Sequence, residues 1–164
     1  MTEPTGAHRN VALVRAALTA GGADPAGVAG LRVLPDAVTT AAAAAAALGV
    51  EVGQIANSLV FDAGGLPLLV LTSGAHRVDT TKIAALIGAG RVRRASPEFV
   101  YAATGQRIGG VAPVGHPAPL RTLVDRALEA YPQVWAAGGI PHAVFPTTFA
   151  ELVAVTGGEP ADVA

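Results

Sequence analysis

The chain contains no cysteine, which excludes disulfides, thiolate metal sites and a cysteine nucleophile. Lysine is almost missing as well: Lys82 is the only one among 11 basic residues, the rest being arginine. Aromatic residues make up 4% of the 164 positions and charged residues 14%, while 51% are apolar, so any core must be aliphatic. No apolar run reaches the length of a membrane span; the alanines at 41–47 are too few and too weakly apolar. The start, Met1-Thr2-Glu3-Pro4, lacks a basic region leading into an apolar stretch, so no secretory signal is expected. These absences suit a cytoplasmic protein. The length suits a single globular domain over 1–164, with 1–29 as an N-terminal helical extension.

A net charge of −1 argues against general binding to DNA, where affinity comes mostly from neutralised phosphates. The charge is unevenly spread, however. Between His76 and Arg107 the basic residues Arg77, Lys82, Arg91, Arg93, Arg94 and Arg107 face only Asp79 and Glu98. Either this is a solvated arginine-rich surface, or it is a local positive face able to grip a short nucleic-acid end.

Apolar spacing at Val11, Val14, Ala17 and Leu18 predicts a helix over 8–20, stopped by Gly21-Gly22. Residues 26–38 read as a short extended piece around Leu31–Pro35. Thr39 or Thr40 should cap an alanine helix ending at Gly49, since alanine is the best helix former. β-rich runs at 55–61 and 66–71 flank Asp62-Ala63-Gly64-Gly65, a hairpin signal. A helix over 80–87 capped by Asp79, a strand at 91–95, and a helix opened by Ser96-Pro97 and ending near Thr104-Gly105 follow. Residues 123–130 read as partly helical, 134–137 and 143–145 as strands. Thr148-Phe149-Ala150-Glu151 has the form of a capping box opening a last helix. Interleaved helices and hairpins favour a mixed α/β (α+β) fold over a doubly wound one.

Among chemical motifs, GxSxG, GxxxxGK[ST], HExxH and GxGxxG are all missing. His8, His76, His116 and His142 have no local ligand spacing; zinc would need a tertiary set of His76, His116 and His142 with Asp79 or Asp125. Ser73 with His76 is the only serine–histidine proximity, at a spacing common in loops. The segment Gly109-Gly110-Val111-Ala112-Pro113-Val114-Gly115 is more informative. Paired glycines let backbone approach a ligand, and Pro113 stiffens the turn. Exposed amides in such a loop can hold a carbonyl or phosphate oxygen without a special side chain.

Five segments in order carry a resemblance: Ile55–Phe61, Leu69–Asp79 through Lys82, Gly109–Pro113, Val134–Gly139 and Glu151–Gly157. Together they resemble the YbaK/EbsC family, which includes free-standing aminoacyl-tRNA deacylases and the editing domain inserted in bacterial prolyl-tRNA synthetases. The likeness covers roughly residues 30–164. It implies a domain with a curved, mixed central sheet surrounded by helices, acting in trans to hydrolyse the ester of a mischarged tRNA without metal or cofactor. The implied partner is the aminoacyl-tRNA 3′ end, with a synthetase as a further one, and either a monomer or a homodimer fits.

On this resemblance Gly109 and Gly110 orient the ester carbonyl and Val111, Ala112 and Pro113 border the pocket. Gly138 and Gly139 form the facing turn, and Ser58 lies beside Asn57. His142 either contacts the ester, ribose or a water, or is a packed strand histidine. Arg77 and Lys82 are expected to meet tRNA phosphates, while Asp79 caps a helix rather than acting in catalysis. Gly110→Val is expected to block the pocket and spare the fold. Ahead of Ser58-Leu59-Val60-Phe61 the family usually carries a lysine important for deacylation; here the position is Asn57. That departure keeps a second function in play, a non-catalytic binder of tRNA 3′ ends or aminoacyl nucleotides. A third is a structural or partner-binding domain without a ligand.

Overall fold

The two longest β-rich runs of the chain build the centre of the sheet. In the computed structural model, which describes residues 8–164, strands β2 (Ile55–Ala63) and β3 (Leu66–Ser73) form an antiparallel hairpin pairing Ala56 with Ser73 through Ala63 with Leu66. The turn is the two residues Gly64 (φ +65°) and Gly65 (φ +93°), the positive-φ pair that matches strand twist, and the Asp62 carboxylate accepts the Gly65 amide at 2.7 Å.

Before the hairpin come helices α1 (Arg9–Ala20) and α2 (Pro25–Ala29), the short strand β1 (Arg32–Val33) and helix α3 (Ala41–Leu48). After it follow α4 (Thr80–Ile87), β4 (Val92–Arg94), α5 (Pro97–Thr104), β5 (Arg121–Asp125), β6 (Val134–Ala137), β7 (Ala143–Thr147), α6 (Phe149–Thr156) and β8 (Glu159–Ala161). The strands form one mixed sheet in the order β1-β7-β6-β2-β3-β5-β8, with β4 pairing to β2 off this path. The mixed α/β fold class is therefore as the sequence implies.

Most caps sit where the sequence places them. Thr40, Asp79, Ser96 and Thr148 accept the first-turn amides of α3, α4, α5 and α6. The box at α6 is only half closed: Glu151 donates its amide to Thr148 Oγ1, but its carboxylate accepts from Thr147 Oγ1 and from the Asp24 amide, tying α6 to the N-terminal helices.

One expectation needs correction, and two strands come without any expectation. Residues 26–38 are not one extended piece, because Asp24 and Pro25 open α2 with a cap and a pre-set φ. Residues 121–125 form strand β5, and only 126–130 coil, as a 3-10 turn capped by Asp125. β8, beyond Gly157, is a further strand, paired in parallel with β5. β5 lies buried between β3 and β8, and β8 is a three-residue edge strand; neither carries an alternation to read.

The main core lies on one face of the sheet. Val11, Val14 and Leu18 of α1 pack there with Ala56, Leu69, Leu71, Phe145 and Leu152, so the N-terminal helix is part of the core. On the opposite face Phe61, Leu68 and Val70 pack with Ile83 of α4. A separate cluster there joins Ala44 and Ala45 of α3 to Ile55, Trp135 and Val144.

Between those two clusters the sheet is split. On one edge β2 pairs β6 only at Ile55 and Ala56, and β4 only at Phe61, Asp62 and Ala63. Residues 57–60 therefore have a strand partner on the β3 side alone.

Candidate functional site

The split opens into a cleft of about 260 Å³. Its floor is the free edge of β2, from Asn57 to Val60; α3, β6 and the glycine loop supply the walls. Thr39, Thr40 and Ala41 place the first turn of α3 at the rim, where the partial positive charge of a helix N-terminus favours anionic groups. The remaining wall is mostly small, with Ala44, Ala95, Ala136 and Ala137.

The glycine loop is held from inside. Buried Gln106 accepts the Ala112 amide through Oε1 at 2.7 Å and donates Nε2 to the Val114 carbonyl at 3.3 Å. The Gly110 amide donates to the Arg107 carbonyl at 3.0 Å. His116 Nε2 donates to the Ala112 carbonyl at 2.8 Å. Alternate amides are thus consumed. Those of Gly109 and Val111, both on the cleft wall, make no hydrogen bond among the described residues. Val111 is buried, and a buried amide without a partner costs about 1–3 kcal/mol, so this geometry suits an incoming oxygen acceptor.

Two other polar atoms in the wall are buried without a partner among the described residues, Ser58 Oγ and Trp135 Nε1. Among the described residues Arg94 is the only ionisable side chain lining the cleft. Its neighbour Arg93 pairs with Asp62 at 3.4 Å, whereas Arg94 makes no ion pair among the described residues. From sequence, Arg94 belongs to the basic patch, Thr39 is an alternative helix cap and Trp135 lies in a family-like segment, but none of them, nor Gln106, is marked as a site residue.

The expected site residues divide into two groups. Asn57, Ser58, Gly109 and Val111 meet at the cleft. The others lie elsewhere. Ala112 and Pro113 are buried behind it, and Gly110 packs on the backbone of Ile140. A Cβ on Gly138 would stand 2.9 Å from Ala143 Cβ, and one on Gly139 would stand 3.0 Å from the Asn10 carbonyl oxygen. Both glycines serve close packing of the β6–β7 turn. His142, in the same turn, is half-buried and its carbonyl accepts the Leu34 amide. Arg77 is exposed outside the cleft. Lys82 reaches the Ala164 carbonyl at 2.9 Å.

The expectation for Gly110→Val is corrected by this packing: the added side chain meets main chain, not empty cleft. Ser73 and His76 form no nucleophilic pair either. His76 Nδ1 donates to the buried Asp125 carboxylate at 2.8 Å, while Ser73 Oγ turns to the Gly53 carbonyl at 2.9 Å. Among the described residues no three His, Asp or Glu side chains converge as metal ligands, and no helix is long and apolar enough to cross a membrane.

Burial lowers the His116 pKa from its ordinary value, outweighing the opposing hydrogen bond to Ala112. The unfolded imidazole takes a proton near pH 6.5, the folded one only at lower pH, so the unfolded state binds more protons in between. Stability is accordingly full above that range and falls as pH drops through 6.5, levelling off once the folded imidazole is protonated too. Thermal melts between pH 8 and 5 (roughly the titration range of histidine) should show this slope. His116→Gln, which keeps a donor for the Ala112 carbonyl, should flatten it; an identical slope in that variant would contradict the assignment.

Comparison with known proteins agrees with the geometry. The aminoacyl-tRNA editing domain family matches residues 35–155. The proline–tRNA ligase of Nitratidesulfovibrio vulgaris (strain DP4) is 35% identical over 82 residues, covering 50% of this chain; the chain spans only 14% of that ligase's length. YwhH of Bacillus subtilis (strain 168) is 32% identical over 110 residues, 66% of this chain and 69% of YwhH. A solved structure described as a candidate trans-editing enzyme for prolyl-tRNA synthetase superposes with a TM-score of 0.85 at 42% identity, covering 95% of this chain and 97% of the other. With the family matched across most of its length, this chain belongs to the aminoacyl-tRNA editing domain family of YbaK-like proteins.

Proposed function

We propose that the protein hydrolyses the ester linking an amino acid to the 3′ end of a mischarged tRNA, acting in trans. The observation that carries this reading is the pair of unengaged amides, Gly109 and Val111, on the wall of a cleft opened by the split beside β2. The ester carbonyl accepts from these amides. Water adds to the carbonyl carbon, and the negative charge that develops on oxygen meets dipoles already in place. The tetrahedral species then expels the ribose oxygen, which takes up a proton, leaving free amino acid and tRNA. An aminoacyl ester is already reactive, so orientation and charge stabilisation supply the acceleration and no protein nucleophile is required.

Asn57 donates an amide hydrogen where the family carries a lysine. Positive charge comes instead from Arg94, the only ionisable group on the wall among the described residues. A cleft of about 260 Å³ lies below the usual range for small-molecule sites and favours small aminoacyl groups.

The test is a panel of alanyl-, seryl-, cysteinyl- and aromatic aminoacyl-tRNAs. Release is expected to be faster for the small side chains than for the aromatic ones. If no ester is lost faster than without protein, the hydrolase reading fails. The residue at position 57 favours a second reading, a binder of tRNA ends without catalysis. Asn57→Lys separates the two. Hydrogen bonds to charged groups contribute about 1.5–3 kcal/mol against about 1 for neutral ones, so the deacylase should gain roughly 10-fold. Activity seen only in the variant supports the binder.

A further inference from the structure

A second, larger cleft of about 790 Å³ lies on the far side of the loops that wall the first. Arg107 lines the second cleft while the adjoining Ile108 lines the first; in the β6–β7 turn Ala137 lines the first, and Gly139 the second. Two residues of backbone separate them, roughly 8 Å at 3.8 Å per residue. Asn10 braces the ridge, its Nδ2 lying 3.4 Å from the Gly105 carbonyl and 3.3 Å from that of Gly139.

The chemistry of the second cleft is different. Arg9 and Arg107 line it, both exposed, and neither makes an ion pair among the described residues. No carboxylate among the described residues lines it. Tyr101 is 51% exposed and carries the Arg107 guanidinium 5.1 Å from its ring centre. Leu13 in the same cleft and Ile108 on the ridge are 43% and 54% exposed. Guanidinium groups without an ion pair, one of them stacked on an exposed aromatic ring, are what a single nucleic-acid strand uses, through its phosphates and the planes of its bases.

We infer that this cleft holds the single-stranded nucleotides next to the terminal aminoacyl nucleoside, Arg9 and Arg107 meeting their phosphates and Tyr101 stacking on a base. The inference rests on the ester-binding reading of the first cleft. An acidic peptide would satisfy the arginines but leave the aromatic ring unused, and a strand leaving the first cleft over the ridge reaches the second within about two residues of protein backbone.

The experiment measures binding by fluorescence anisotropy for three probes: an unacylated RNA hairpin with a single-stranded CCA tail, the same hairpin cut blunt, and a non-hydrolysable aminoacyl-adenosine analogue. The tailed RNA should bind in preference to the blunt one. Arg9→Ala with Arg107→Ala should weaken it at least tenfold and reduce the slope of log affinity against log salt by about 1.4, two contacts at 0.7 each for a single strand. Tyr101→Ala should weaken it about tenfold with the salt slope unchanged. Affinity for the analogue should stay the same in all variants, which also shows that they are folded.

Tailed RNA bound as tightly by the arginine double variant as by the wild type would overturn the inference. So would equal affinity for the blunt hairpin, or loss of analogue binding in step with RNA. Failure of the wild type to bind the analogue counts against the first cleft, whereas the tailed-against-blunt comparison still decides the second.

Discussion

Substituting alanine for Gly110 will lower the melting temperature by roughly 10 °C, because the added carbon has nowhere to go. Its Cβ would lie 2.5 Å from the Ile140 carbonyl carbon, and 2.7 Å from both Ile140 Cα and Pro141 N. All three are main-chain atoms of the β6–β7 turn, so no rotamer change relieves the clash. Overpacking of this kind costs up to about 3 kcal/mol or more, and in a domain of this size each kcal/mol shifts the midpoint by about 2–4 °C.

The neighbouring glycine should behave differently. Gly109 has φ +95° and its added carbon would meet Thr39 Cγ2 at 3.2 Å, a tight but side-chain contact. Gly109→Ala should lose about 1–2 kcal/mol to backbone strain and narrow the cleft, so deacylation suffers more than stability. Parallel thermal melts and ester-release assays check the pair. Wild-type melting of Gly110→Ala would show that this loop does not pack on the turn as described.

Replacing Arg94 with alanine is expected to slow ester release roughly 10-fold or more with no comparable loss of stability. The side chain is exposed and unpaired among the described residues, so folding gains little from it. A charged donor acting on a developing oxyanion contributes about 1.5–3 kcal/mol, about one to two decades in rate. Arg94→Lys should keep much of the activity, and Asn57→Lys in the Arg94→Ala background should recover it by restoring charge from the floor of the cleft. Arg93→Ala is the control, since Arg93 is engaged by Asp62 at 3.4 Å. Equal rates for Arg94→Ala and the wild type would remove Arg94 from the chemistry.

Local rules placed most elements, because caps and turns are chemical statements about adjacent residues. Thr40, Asp79, Ser96 and Thr148 hold the amides that their sequence positions promise, and Gly64-Gly65 makes the hairpin turn. The errors fell where partners distant in sequence decide. Arg121–Asp125 is a strand because β3 and β8 lie on either side of it, the latter pairing 36 residues later in the chain (Leu123 with Glu159). Glu151, half of an apparent capping box, spends its carboxylate on Asp24 and Thr147 instead.

By itself the sequence determined the family, the aliphatic character of the core and the hairpin at the sheet's centre, and it drew attention to the loop from Gly109 to Pro113. Only the tertiary structure decided which loop amides are free, because Gln106 and the Arg107 carbonyl consume the alternate ones. It also decided that Arg94 and Trp135 belong to the cleft while Arg77 and Lys82 do not. The reason is the interrupted pairing beside β2. A cleft made where β6 stops at Ala56 and β4 begins at Phe61 depends on strand endings far apart in the chain, and no local pattern of residues encodes them.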